Sequence, residues 1–107
     1  MKIILDESVP QKLRLLIEGH MVVTVAFQGW SGLNNGVLLT AAEEAGYELF
    51  VTADQEIRYQ QNLADRKMAL LVLSTNNWDY IKSAVAKIVA VINGVTPGSC
   101  TEVQIPE

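Results

Sequence analysis

Carboxylates follow two of the predicted strands of this sequence, Asp6 after the first strand and Asp54 after the third. Two carboxylates held close together repel each other, and a cation between them relieves the repulsion. A hard divalent ion such as Mg²⁺ suits such a pair, because it takes one or two carboxylates and keeps several waters. A bound ion can polarise a phosphodiester and activate a water. Asp6 and Asp54 are therefore candidate catalytic and metal-binding residues.

Two further acids could contribute to the same site. Glu56 lies two residues past Asp54, where it could bind the cation or favour the start of the next helix electrostatically. Glu7 follows Asp6, and adjacent strand residues point to opposite faces, so both can point inward only if the chain turns there. The alternative is that Asp6 and Asp54 end their strands and cap the next helices. Spacing alone leaves both interpretations open.

An alternation of apolar runs and helical patterns predicts the elements that bring these acids together. Strands are predicted at 2–5, 21–27, 48–52 and 68–73, with an edge strand at 101–105. Helices are predicted between Ser8 and Gly19, at 37–45, near 54–64, and from Tyr80 to Ile92. Such βαβ units predict an α/β fold, a three-layer α/β/α sandwich with a mainly parallel central sheet. Sites in such sheets lie outside the carboxyl ends of the strands, so both acids should share one edge.

Several local predictions depend on single residues. Ser8 is the predicted N-cap of the first helix. The nearly continuous apolar run at 21–27 predicts a strand covered on both faces. Ser74, Thr75 or Asn76 should cap the last helix, although the two hydroxyls could instead orient a metal-bound water.

Aromatic and basic side chains near the same edge could bind nucleic acid. Trp30 and Trp78 both follow predicted strands and could stack on unpaired bases, although core packing is the commoner role of a tryptophan there. Arg58 and Tyr59 could contact phosphate and base, or could belong to an exposed helix face. These four residues are candidate RNA contacts.

Composition limits the function classes. The 107 residues are 50% apolar and carry a formal net charge of −4, which argues against a protein that coats DNA electrostatically. A single histidine and a single cysteine exclude a two-histidine metal site and a disulfide within one chain. We expect one domain over 1–107, with a core at 1–94 and a turn and edge strand or tail at 95–107. Without a signal peptide or apolar span, a soluble cytoplasmic protein is expected.

Two motifs resemble the DUF5615 family of small PIN-like domains. The opening KIILDESVPQKLRLLIEGHMVVTV is similar to the family's L-D-E-N-x-P, Leu-rich helix and G-H-D-V-x-x-V. The segment ELFVTADQEI is similar to its V-T-x-D-x-D-F. The resemblance extends from Met1 to about Ile92, with the elements in the same order.

The resemblance implies a Mg²⁺- or Mn²⁺-dependent ribonuclease with acids at the carboxyl edge of a parallel sheet. Asp6, Asp54 and Glu56 match the family's acids. Several members are toxins paired with a small antitoxin. One departure is that the family's G-x-x-D-E-E-I-L reads SGLNNGVLL here, with Asn34 and Asn35 in place of acids. An amide supplies no charge to a metal, so these two residues could support it only through water.

Three functions follow as hypotheses. The first is a PIN-like metal-dependent ribonuclease acting as a toxin; its acidic, short chain would need a homodimer or a narrow groove to hold RNA. The second is a catalytically weak or inactive PIN-like protein that binds a partner. The third is a receiver-like domain phosphorylated on Asp54, which is disfavoured because the chain has no Lys or Arg after Ile92.

Overall fold

Among the described residues, five strands form one central sheet, and all of its neighbouring strands are parallel. The structure is a computed structural model that describes residues 1–60 and 65–107, except the side chains of Arg58 and Gln60. The strands are β1 (Lys2–Leu5), β2 (Met21–Thr24), β3 (Leu49–Thr52), β4 (Ala69–Leu73) and β5 (Cys100–Val103). Their order is β2-β1-β3-β4-β5. The predicted α/β fold with a mainly parallel central sheet is confirmed.

Helices cover both faces of this sheet. They are a 3₁₀ helix (Gln11–Leu15), α1 (Val25–Gln28), α2 (Asn35–Glu44), α3 (Ile57–Gln60), α4 (Trp78–Ser83) and α5 (Val85–Gly94). Successive strand residues point to opposite faces, so Ile3 and Leu5 point to a first face and Ile4 to a second face. The 3₁₀ helix, α4 and α5 pack on the first face, and α1, α2 and α3 pack on the second. This is the predicted three-layer sandwich.

The first predicted helix is wrong in type and length. Leu13 and Ile17 are buried as its spacing predicts, but Leu16 is 37% exposed and only the 3₁₀ helix forms. Ser8 does not cap it, because its hydroxyl bonds to Asp6 and accepts the N–H of Ala53. The Ser8 hydroxyl therefore forms hydrogen bonds at the end of β1 instead of capping the first helix.

The second predicted strand is present but shorter than predicted, and its predicted burial on both faces is wrong. β2 ends at Thr24, whose hydroxyl accepts the N–H of Phe27 at 3.1 Å and so caps α1. β2 lies at the edge of the sheet, and Met21 is 62% exposed, so the strand is not covered on both faces. An apolar run at an edge strand and an apolar run at a central strand look alike in sequence.

The long helix predicted from Tyr80 to Ile92 is two helices, because α4 and α5 meet at Ala84, where φ is −108° and ψ is 12°. Asn77, rather than Ser74, Thr75 or Asn76, caps α4.

The other boundaries differ by a few residues. α2 begins at Asn35 rather than Val37, and β5 begins at Cys100 rather than Thr101. α3 begins at Ile57, and the end of the helix predicted near 54–64 lies outside the described residues. None of the helices that the structure describes is long and apolar enough to cross a membrane.

Replacing Asn77 with Ala should lower the free energy of unfolding by about 1 kcal/mol, because its side chain accepts the N–H groups of Asp79 and Tyr80. Chemical denaturation measures the change. Asn76→Ala, one residue outside the cap, is the matched control and should leave stability unchanged. Equal loss in both variants would contradict the assignment of the cap.

Candidate functional site

Asp6 and Thr52 meet where β1 and β3 end. The N–H of Asp6 donates to the carbonyl of Val51 at 2.9 Å, which extends the pairing of β1 with β3 by one residue. Thr52 is fully buried and is the last residue of β3. Its hydroxyl donates to Asp6 Oδ2 at 2.8 Å. Parallel pairing thus places the Asp6 carboxylate directly over the end of β3.

Ser8 completes the support of this carboxylate. The Val9 N–H donates to the Asp6 carbonyl, and this turn brings the Ser8 hydroxyl back to donate to Asp6 Oδ2 at 2.7 Å. Each hydroxyl has one proton, and both protons point at Asp6. The 3.2 Å separation of the Ser8 and Thr52 oxygens therefore results from their shared acceptor.

The same two hydroxyls also bind the backbone after β3. Ser8 Oγ accepts the N–H of Ala53 at 3.0 Å, and Thr52 Oγ1 accepts the N–H of Asp54 at 3.0 Å. The Thr52 hydroxyl therefore links the two acids, because it donates to Asp6 Oδ2 and accepts the backbone N–H of Asp54. The prediction that one edge carries both acids is supported by this geometry.

Asp54 is held by two other donors. Its Oδ1 accepts the N–H of Glu56 at 3.0 Å, and its Oδ2 accepts the side-chain amide of Asn35 at 3.2 Å. Its carbonyl also accepts the N–H of Ile57, the first residue of α3. Asp54 therefore shapes the turn before α3, and its side chain accepts the N–H of Glu56, which precedes the helix, rather than an N–H of α3 itself.

The remaining predicted support residues bind elsewhere. Glu7 is exposed and accepts the N–H of Gly32 at 3.3 Å. Asn34 accepts the N–H of Val37 and caps α2. Ser74 accepts the N–H of Ile105 at 2.8 Å and so ties the ends of β4 and β5 together. Of the predicted support residues, Asn35 is the one that bonds to an acid of the site.

The oxygen donors of this edge suit a hydrated cation better than a fully coordinated one. Among the described residues no group of three or more His, Cys, Asp or Glu side chains could hold a metal ion. Within the same part of the chain, Asp6 Oδ1 accepts no hydrogen bond, whereas Oδ2 accepts two. Mg²⁺ needs only one or two carboxylates. Asp6 has one oxygen left for such an ion, whereas both oxygens of Asp54 accept hydrogen bonds, so a metal held by Asp6, Asp54 and the exposed Glu56 stays a prediction.

The candidate RNA contacts lie in different surroundings. Trp78 begins α4, is partly buried against the first face, and has the Lys12 ammonium 5.9 Å from its ring. Tyr59 lies on α3 and is 71% exposed. The side chain of Arg58 lies outside the described residues.

Trp30 packs against the core, which is the structural role considered for it from the sequence. Its ring packs edge-on against Tyr47, with ring centroids 6.2 Å apart, and it joins the second apolar cluster. Burial raises the pKa of the Tyr47 hydroxyl above its usual value near 10, because the charged form loses hydration. Contact of any of these residues with RNA stays a prediction.

Ser8 and Thr52 are the site residues that sequence reasoning missed. A hydroxyl at the end of an otherwise apolar strand, as in LFVT, is the available signal for Thr52. Ser8 was predicted to cap a helix instead, because it lies two residues before Pro10 at a predicted helix start.

Replacing Thr52 with Val removes one hydroxyl at nearly constant shape. It should lower the free energy of unfolding by about 1–3 kcal/mol, because Asp6 loses a donor and the Asp54 N–H loses its acceptor. Thr101→Val on β5 is the matched control, since Thr101 lies outside this network. Urea denaturation that gives equal stabilities for the two variants would show that the network does not stabilise the fold.

Comparisons with protein-family models, curated proteins and solved structures find no match to this chain. Membership of the DUF5615 family therefore stays a prediction from the two motifs, and the function has to be argued from the geometry of the edge.

Proposed function

We propose that the chain is a Mg²⁺- or Mn²⁺-dependent ribonuclease whose metal site contains Asp6 and Asp54. The observation that carries the proposal is the asymmetry of the Asp6 carboxylate. Ser8 and Thr52 hold one of its oxygens, and the other is left for a ligand at the edge of the sheet. The two hydroxyl donors orient the carboxylate, so its other oxygen has a fixed position at the edge.

The roles of the side chains follow from their contacts. Asp6 and Asp54 would bind the ion, and the Asn35 amide would hold the Asp54 carboxylate in place. Ser8 and Thr52 fix the rotamer of Asp6, so that its free oxygen has one direction. When bound, the ion would activate a water and polarise a phosphodiester. Glu56, which is exposed, could accept a proton or bind a metal water.

The choice of RNA as substrate rests on the motif resemblance and on the surface near α3 and α4. Tyr59 is exposed, and the half-buried Trp78 ring lies beside the Lys12 ammonium. Unpaired bases stack on such rings, and a cation contacts phosphate. The net charge of −4 opposes broad binding, whereas a metal ion reverses the charge locally. A toxin role, a small antitoxin partner and a cytoplasmic location belong to the same proposal.

A second candidate is a catalytically inactive PIN-like protein that binds a partner. The observation in its favour is that both oxygens of Asp54 already accept hydrogen bonds, one of them from Asn35. If these bonds persist, Asp54 contributes little to a metal, and the edge serves only to join β1 with β3.

The receiver-like alternative has one supporting observation. The strand order β2-β1-β3-β4-β5 is also that of receiver domains. Against it, the Ser74 hydroxyl is used by the N–H of Ile105, and no Lys or Arg follows β5. A phosphoryl group on Asp54 would thus lack its usual cation.

Cleavage of an RNA mixture with and without Mn²⁺ tests the leading proposal. Asp6→Asn should reduce metal-dependent cleavage by more than the roughly 100-fold loss typical of an outer-shell change, because it removes a ligand charge. Glu44→Gln, an exposed carboxylate on α2, is the charge-matched control and should cleave like the wild type.

Two results would decide against the nuclease. Equal cleavage by wild type and Asp6→Asn would indicate another site or a contaminant. Calorimetry that finds no Mn²⁺ binding tighter than millimolar, with Asp6→Asn and Asp54→Asn matching the wild type, would favour the inactive binding protein.

A further inference from the structure

The outer edge of β2 has backbone groups available for another strand. The N–H of Met21 donates to the carbonyl of Met1, so Met21 points toward β1. Backbone groups of successive strand residues alternate in direction, so the N–H and C=O of Val22 point away from the sheet. The N–H of Thr24 points the same way, whereas its C=O is the N-cap carbonyl that begins α1. β2 carries no charge, proline or bulge, which are the usual means of blocking such an edge.

Exposed apolar side chains flank this edge on both faces. Phe27, on α1, is 82% exposed, and Met21 is 62% exposed. Val23 packs with the second cluster, so Met21 points to the same face as Val23, which is also the face covered by α1. On the first face, Leu15 of the 3₁₀ helix is 66% exposed. Large apolar side chains clustered at one open edge are typical of an interface.

A groove of about 550 Å³ runs along this edge. Its lining residues are Gln11, Arg14, Val22, Val23, Thr24, Ala26 and Phe27. Arg14 is exposed and gives the groove its positive charge, close to the carboxyl end of β2. Glu18 is exposed at the opposite end, three residues before β2 begins. Neither side chain forms an ion pair within the described part of the chain.

We propose that two copies of this chain form a dimer through antiparallel pairing of β2 with β2. A two-fold axis perpendicular to the sheet near the middle of β2 joins the two sheets into one. This axis keeps each face on the same side, so Met21 of one copy approaches the region of Phe27 of the partner subunit, apolar against apolar. The N–H and C=O of Val22 supply a donor and an acceptor in each copy, and the N–H of Thr24 supplies a further donor.

Charge complementarity selects a second copy as the occupant. Because the two β2 strands run in opposite directions, Glu18 of the partner subunit lies beside the end of the groove that contains Arg14. The same contact occurs at the other end by symmetry. One two-fold operation thus pairs both unpaired charges and covers both apolar side chains. An isologous interface requires this kind of self-complementarity.

The dimer is independent of the proposed nuclease. Antiparallel pairing turns the carboxyl edges of the two sheets in opposite directions, so the Asp6 edge of each copy stays separate. A protein without metal or RNA should dimerise equally well.

Sedimentation equilibrium of the full chain over a concentration series tests the interface. We expect a dimer for the wild type, and Phe27→Lys should raise its dissociation constant by roughly tenfold or more, the loss expected for an anchor residue. Val37→Lys is the matched control: Val37 is also an exposed apolar residue, 50% accessible, but lies on α2 away from the groove. It should dimerise like the wild type.

A charge swap tests the register. Arg14→Glu and Glu18→Arg should each weaken the dimer, and the double variant should restore it, because the two charges meet across the axis. A wild-type monomer at every concentration would overturn the proposal. So would a dimer that survives both Phe27→Lys and Arg14→Glu, or a double variant no better than the single ones. Circular dichroism of each variant verifies that it is folded.

Discussion

A buried hydroxyl, that of Thr52, joins the two strands on which the candidate site depends. Burying a hydroxyl is costly unless it is hydrogen-bonded, and Thr52, fully buried, both donates to Asp6 and accepts from the Asp54 N–H. A shift of β1 against β3 by one residue would break the first of these bonds and reverse the faces of every side chain of the shifted strand. Strand register and site geometry are therefore set by the same contact.

The architecture could be predicted because burial leaves a regular pattern. Apolar runs such as ALLVL marked the central strands, and the topology rule for parallel sheets placed Asp6 and Asp54 on one edge. One failure occurred where a polar side chain had two possible partners. Ser8 could cap a helix or bond to Asp6, and only the folded chain brings Thr52 and Ala53 close enough to decide. Sequence likewise could not distinguish β2 as an edge strand, because its position depends on pairing with distant residues.

The amide of Asn35 changes the charge balance of the edge. A carboxylate there would repel Asp54, whereas the amide donates a hydrogen bond to it. Compared with a chain that has a carboxylate at position 35, this chain has less charge repulsion at the edge when no metal is bound, and it would attract a cation less strongly. Stability without metal and affinity for metal are opposed at this position, and the chain has the residue that favours the metal-free fold.

The strand order also limits how the sheet can be assembled. β2 docks on one side of β1, β3 on the other, β4 on β3, and β5 on β4, so each new strand adds to an existing edge. Among the described strands, none has to insert between two that are already paired. Ser8, Asn35, Thr52 and Asp54 all precede α3. The hydrogen-bonded edge is therefore built entirely from the segment before α3, whereas the core beneath it also needs α4, α5 and β5.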